Sequence, residues 1–389
     1  MSMKAIKAKA VFTESGIEKE KLLLLDGDRF GDLLAEKDVR EAGIEIAAYP
    51  DLLVLPGLFD SHIHGALGCD TMDANAAALD TIGRYLLSAG TTSWMPTTVT
   101  SSLEAIENAL EALDGYHPAE DAARVTGCFV EGPYLTAEHR GAHPVEYLRE
   151  LSISELEGLL ARGPVKALAV APEKAGAAEF IRHAADKGVH ISLAHTSASY
   201  EEAVSAIENG ADASVHTYCG MSPLHHRSPG LLGAALIRDD VYAELIADGI
   251  HVQKPAMEIL LRCKPGDKVI LVSDAISATG LPDGDYVLGV EPVHVEKGIP
   301  RTGSGSLAGS TANLLDEVRR LIVELGREPL SVVHMASLNP CRRFGLEDEL
   351  GSIRRGKRAD FLLVNERYEL QQVWKDGCPA IVKRPEAKE

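Results

Sequence analysis

Between residues 58 and 274 the chain alternates short apolar runs of strand length with longer stretches of helical character. The runs end near His64, Thr98, Glu131, Ala171, His195, His216, Asp248 and Asp274, which makes eight candidate strands. Helix punctuation falls between them. Ser154-x-x-Glu157 and Ser199-x-x-Glu202 predict capping boxes, and Gly90 and Gly210 predict C-terminal stops. Eight such units over about 220 residues predict a (β/α)8 TIM-like barrel. The competing architecture, an open doubly wound sheet, announces itself by a glycine-rich phosphate loop after its first strand. None follows this first strand, and Gly303-Ser-Gly-Ser-Leu-Ala-Gly309 comes after the eighth and lacks the spacing.

The two ends read differently. Ala-Lys-Ala-Val-Phe and Glu-Lys-Leu-Leu-Leu-Leu-Asp-Gly-Asp near the start have a strand-and-turn rhythm. Arg-Ala-Asp-Phe-Leu-Leu-Val-Asn and Leu-Gln-Gln-Val-Trp-Lys-Asp-Gly near the end resume it. Short runs broken by Gly and Asp predict a small β-sandwich built from residues 1–54 and 345–389, with the barrel over 55–344. The last seven residues, 383–389, are expected to fray.

Composition narrows the function. The 389 residues are 45% hydrophobic and carry a formal charge of −19. This balance argues against nucleic-acid or anionic-membrane partners, both of which want a basic face. No segment resembles a secretory signal, and no apolar stretch is long enough to span a bilayer. Six scattered cysteines without CxxC spacing are expected to be free thiols in a reducing cytoplasm. Any anionic substrate must be met by a local cluster of cations.

Barrel active sites lie at the C-terminal ends of the strands, so the residues placed there carry the chemistry. Strand one ends in Phe-Asp-Ser-His62-Ile-His64, and residues two apart on a strand share a face. Strand three supplies Glu131, strand five His195, strand six His216 and strand eight Asp274. A buried carboxylate is costly unless paired or coordinated. Six such groups at one rim point to a divalent ion, and imidazole with carboxylate suits Zn²⁺ or Fe²⁺. An ion of this kind activates water, and Asp274 is the candidate that takes a proton and returns it to a leaving group.

The ordered motifs His-x-His, Glu-Gly-Pro, Ala-His-Thr, His-Thr-Tyr, Asp-Gly-Ile-His, Ser-Asp-Ala and Leu-Ala-Gly-Ser resemble the N-acetylglucosamine-6-phosphate deacetylases of the amidohydrolase superfamily. The resemblance implies Glu131, His195 and His216 on one metal and His62 and His64 on a second, one or two ions per subunit. It also implies a substrate pocket formed by Ala142, His143, Arg227, Asp248, His251, Leu307, Ala308 and Gly309. His143 would polarise the acetyl carbonyl, while Arg227 and His251 would meet the phosphate across a homodimer interface. The implied reaction is loss of the N-acetyl group from an amino-sugar 6-phosphate. Where the family carries Asn-Ala after the strand-six histidine, this chain has Cys219-Gly220. That departure leaves the N-acetylgalactosamine epimer as an alternative substrate. Another amidohydrolase reaction, on a cyclic amide or a nucleobase, is the further alternative.

Overall fold

The computed structural model describes residues 3–380, so the tail 383–389 lies outside the described residues. Eight parallel strands form the barrel wall: β1 (Leu58–Ile63), β2 (Thr91–Thr98), β3 (Cys128–Val130), β4 (Val165–Val170), β5 (His190–Leu193), β6 (Ala211–Ser214), β7 (Tyr242–Leu245) and β8 (Val269–Leu271). Each pairs with the next in sequence order. Every candidate strand is present, and each ends within two or three residues of its expected position. The wall is nearly closed. At the upper part of the seam Asp274 N–H donates to His62 O at 3.0 Å and His64 N–H to Ala275 O at 2.9 Å. Lower down, Phe59 N–H of β1 turns instead to Ala336 O, at the end of the helix Pro329–Met335. That helix and the next, Leu338–Arg343, therefore fill the lower seam.

The outer helices follow their apolar periodicity. Ala76–Ser88 buries Leu79, Ile82, Leu86 and Leu87, a stripe at helical spacing, with Asn75 capping its start and Gly90 at φ +96° beyond its end. The capping box at Ser199 and Glu202 forms, and Gly210 at φ +116° stops the same helix. The expected box at Ser154 does not form. Helix Ile153–Arg162 already contains Ser154, whereas Ser152 has the extended backbone a cap requires and accepts from Glu155 N–H. Glu157 is left to pair with His183 at 2.6 Å and Lys187 at 3.0 Å.

The ends of the chain build one mixed sheet from Lys4–Phe12, Lys21–Asp26, Arg29–Ala35 and Glu45–Pro56 with Phe361–Val364, Leu370–Lys375 and Cys378–Pro379. In Lys21–Asp26, Leu23 and Leu25 enter one apolar cluster while Leu22 and Leu24 enter another, as a two-residue period demands. The sheet folds over on itself, so that Phe30 meets Phe361 with ring centroids 6.2 Å apart and Trp374 stacks on Phe361 at 5.1 Å. The small β-sandwich expected from the two chain ends is thus a separate, single sheet that curls back on itself. After β8, a three-stranded antiparallel sheet (Gly284–Leu288, Glu291–Glu296, Ile299–Thr302) stands at the barrel mouth. No helix among the described residues is long and apolar enough to cross a membrane.

Candidate metal centre and active site

The strand ends converge. Glu131, two-faced, sits at the middle of the cluster and is 3% exposed. Its Oε2 lies 3.2 Å from His64 Nε2 and 3.5 Å from His62 Nε2, while its Oε1 lies 3.2 Å from His216 Nε2 and 3.4 Å from His195 Nε2. Two groups of three potential ligands result, His62–His64–Glu131 and Glu131–His195–His216, sharing the glutamate. Asp274 Oδ1 flanks the first group, 3.2 Å from His64 Nε2 and 3.5 Å from His62 Nε2.

The far side of each imidazole decides what these atoms can do. His64 Nδ1 meets Thr97 O at 3.2 Å, His195 Nδ1 meets His139 O at 2.7 Å, and His216 Nδ1 meets Cys219 O at 3.2 Å. His62 Nδ1 faces Glu244 Oε2 at 3.1 Å. Carbonyl and carboxylate oxygens only accept, so every Nδ1 donates and every neutral ring turns its Nε2 lone pair inward. Four lone pairs and a carboxylate then face one another with no proton between them. His62 Nε2 is buried and has no hydrogen-bond partner among the described residues, and His195 Nε2 stands 3.1 Å from His216 Nε2. Neutral rings so placed repel one another and the carboxylate, so the site draws in positive charge, as ring protons or as a metal ion. The donor set therefore fits a divalent metal ion.

The electrostatics agree. Burial opposes charge on His64, yet the Asp274 and Glu131 carboxylates raise its pKa to about 9. Burial also works against ionising Asp274, but His62 and His64 bring it down to about 2. Glu131 is likewise held well below the carboxylate range by His62, His195 and His216 against its burial. The pocket calls for positive charge at its centre.

His143 differs from the other four. Its Nδ1 receives Thr100 N–H at 3.3 Å and lies 2.8 Å from Thr100 Oγ1. The Nδ1 lone pair is thus used, and the ring proton sits on Nε2, 3.7 Å from Glu131 Oε2. Burial, followed by the neighbouring His195, keeps this ring neutral, its pKa well below the usual value. It is a fixed donor rather than a ligand.

The backbone around these groups is held in an uncommon conformation. His195, His216 and Asp274 have φ of +44°, +26° and +49°, in the left-handed region that non-glycine residues seldom adopt. Two glycines make the crowding possible. A Cβ on Gly220 would sit 2.8 Å from His195 Nδ1, and one on Gly309 would sit 2.6 Å from Asp274 O.

A cavity of about 350 Å³ opens over the cluster. Of the sequence-predicted site residues, His64, Glu131, Ala142, His143, His195, His216, Cys219, Gly220, His251, Asp274, Leu307 and Gly309 line it. His62 lies behind the front layer, fully buried. Three expectations are placed elsewhere. Asp248 does not line the cavity but accepts His251 Nδ1–H at 2.7 Å, so it holds the histidine from behind. Ala308 packs in the apolar cluster of Val99, Ala142 and Ile276, because consecutive residues in an extended segment point opposite ways. Arg227 is exposed on a loop with His225 and His226, 2.8 Å from His226 Nε2, and stays outside its own chain's cavity. Cys219 presents a thiol whose pKa is pushed up to about 12 by burial and by the Asp274 and Asp248 carboxylates.

Sequence reasoning missed Glu244, Arg343, Thr100, Leu288 and Ser306. A signal existed for Glu244: a charged residue inside the apolar run Tyr-Ala-Glu-Leu of β7 needs a buried partner. Leu288 and Ser306 reach the cavity from the three-stranded sheet and the loop after it, which no periodicity announced.

Comparison with known proteins agrees with this geometry. A family model described as the amidohydrolase family matches residues 53–383. An N-acetylgalactosamine-6-phosphate deacetylase of Escherichia coli O157:H7 is 38% identical over 96% of this chain and 98% of its own length. An N-acetylglucosamine-6-phosphate deacetylase of Vibrio furnissii is 40% identical over 83% of this chain and 82% of its own. Among solved structures, the N-acetylglucosamine-6-phosphate deacetylase of Pasteurella multocida superposes with a TM-score of 0.91 at 28% identity, covering 96% of this chain and 98% of that one. A mutant of the Mycobacterium smegmatis enzyme in complex with N-acetyl-D-glucosamine-6-phosphate superposes with 0.90 at 26% identity, covering 98% and 100%.

Proposed function

The chain belongs to the amidohydrolase family, and we propose that it hydrolyses the acetamide of N-acetylglucosamine 6-phosphate to give glucosamine 6-phosphate and acetate. The observation that carries this reading is the pair of imidazole tautomers. Four histidines turn lone pairs towards Glu131, and a fifth, His143, turns a proton into the same cavity. The first arrangement holds metal, and the second recognises a carbonyl oxygen.

His62, His64 and Glu131 would hold one ion, and Glu131, His195 and His216 another. Nitrogen and oxygen donors without thiolate favour Zn²⁺ or Fe²⁺. Such ions supply Lewis-acid polarisation and lower the pKa of nearby water. Asp274, ionised and beside His64, accepts the proton of the attacking water as its oxygen bonds to the acetyl carbon. His143 Nε2–H donates to the carbonyl oxygen as negative charge gathers there. When the C–N bond breaks, Asp274 returns its proton to the sugar nitrogen, and the acetic acid formed then passes its remaining proton to the amine, leaving acetate and the protonated amine.

His251, braced by Asp248, is the phosphate-facing group within the chain. The exposed position of Arg227 supports a homodimer in which this loop serves the neighbouring copy's cavity. The acidic balance of the chain, with a formal charge of −19, supports a cytoplasmic enzyme. A second reading, the N-acetylgalactosamine epimer, is favoured by Cys219 on the cavity wall and by the Escherichia coli relative.

Acetate release from a panel of N-acetylhexosamine 6-phosphates, with and without chelator, tests the proposal. Chelator-sensitive release from the gluco epimer is expected. Release from none of the panel refutes the reaction, and release from the galacto epimer alone selects the second reading.

A further inference from the structure

Building on the two-ion reading above, we propose that Glu244 and Arg343 are a positioning pair that sets the affinity of the His62–His64–Glu131 position separately from the Glu131–His195–His216 position. Three of the four ligand rings are held by main-chain carbonyls, and His62 alone is held by a carboxylate. A carboxylate draws the Nδ1 proton more strongly than an amide oxygen does. It leaves more electron density on Nε2 and fixes the ring's orientation. Nothing in the proposed chemistry uses Glu244 directly, because it is fully buried below the cavity.

A buried carboxylate needs its own partner, and Arg343 is that partner. Its Nη1 donates to Glu244 Oε1 at 3.2 Å, and its Nη2 donates to Ser192 Oγ at 2.6 Å and to Asp212 Oδ1 at 2.8 Å. The guanidinium side chain is 1% exposed. It reaches the barrel interior from helix Leu338–Arg343, through the lower seam where β1 bonds to Ala336 and not to β8. One planar cation thus pins β5, β6 and β7 and holds Glu244 against His62. Glu244 Oε2 also accepts His216 main-chain N–H at 3.3 Å, a bond that a glutamine oxygen can keep. The charge on Glu244 therefore bears on the His62 side chain and not on the His216 ring.

The test is zinc binding by the full-length protein at buffered free Zn²⁺, with ions per chain counted by mass spectrometry. His195→Ala leaves the His62–His64–Glu131 position, and His64→Ala leaves the other. Glu244→Gln should weaken zinc binding by about 10- to 100-fold in the first background and by less than about threefold in the second. Asp212→Asn removes another anion from Arg343 without touching Glu244, and should change neither. Arg343→Met should reproduce Glu244→Gln; if it fails to fold, Glu244→Gln carries the test alone. Equal weakening in both backgrounds, no weakening in either, or an Asp212→Asn effect as large as that of Glu244→Gln would overturn the proposal. A parent protein that holds fewer than two ions at saturating Zn²⁺ instead overturns the two-ion reading, and this pair's role with it.

Discussion

The two ends of the cavity are built to different standards. At the metal end every ring is buried, each Nδ1 has a fixed acceptor, and the converging atoms come from strand ends of one barrel. At the end that would meet a phosphate, His251 alone is braced inside the wall, while His225, His226 and Arg227 lie on an exposed loop bonded mainly to one another. Preorganisation explains the difference. Bond-breaking chemistry needs donors held in place before the transition state forms, whereas binding a remote anion tolerates cations that settle on it as it binds. The chemical end is buried and fixed, and the cations of the 225–227 loop lie outside the cavity.

Three substitutions probe that contrast. Asp274→Asn should have the largest effect, lowering kcat by about 10²- to 10⁴-fold with metal content unchanged. Near-normal turnover would remove Asp274 from the proton transfers. Next comes His143→Gln, which keeps a donor but loses the ring held by Thr100. A drop of about 10²- to 10³-fold in kcat is expected with little change in KM. If KM rises instead, His143 belongs to the binding end. The smallest change should follow Arg227→Ala: KM for the phosphorylated substrate rises about 10- to 100-fold, and the unphosphorylated sugar is unaffected. Mixed dimers sharpen this last case. A chain carrying Arg227→Ala paired with one carrying Asp274→Asn should recover near-normal KM at half the turnover, because the intact catalytic centre borrows the other chain's arginine. Failure to recover would place Arg227 in its own chain's cavity.

Legibility in the sequence tracks how local each determinant is. His62 and His64 were readable because a strand's two-residue period puts them on one face whatever surrounds them. Glu131, His195, His216 and Asp274 were readable because each ends an apolar run, and parallel barrel strands present their ends at one rim. Ser154 misled because a serine three residues before a glutamate matches the box pattern. The chain had already entered its helix, and the backbone at Ser152 took the cap. Ala308 missed the cavity by one residue of register, and Asp248 because its carboxylate is spent on bracing His251, three residues on.

The order of strands, the ligand types and the reaction class were thus determined by the sequence itself, since periodicity and residue chemistry act over a few positions. Which acceptor holds each imidazole, and so which nitrogen faces the cavity, was decided only by the tertiary structure. Thr97, His139, Cys219 and Glu244 reach those rings from up to 182 residues away. A proton's position on a ring depends on the atom that touches the ring's far side. No local pattern in the chain specifies that atom until the barrel closes around it.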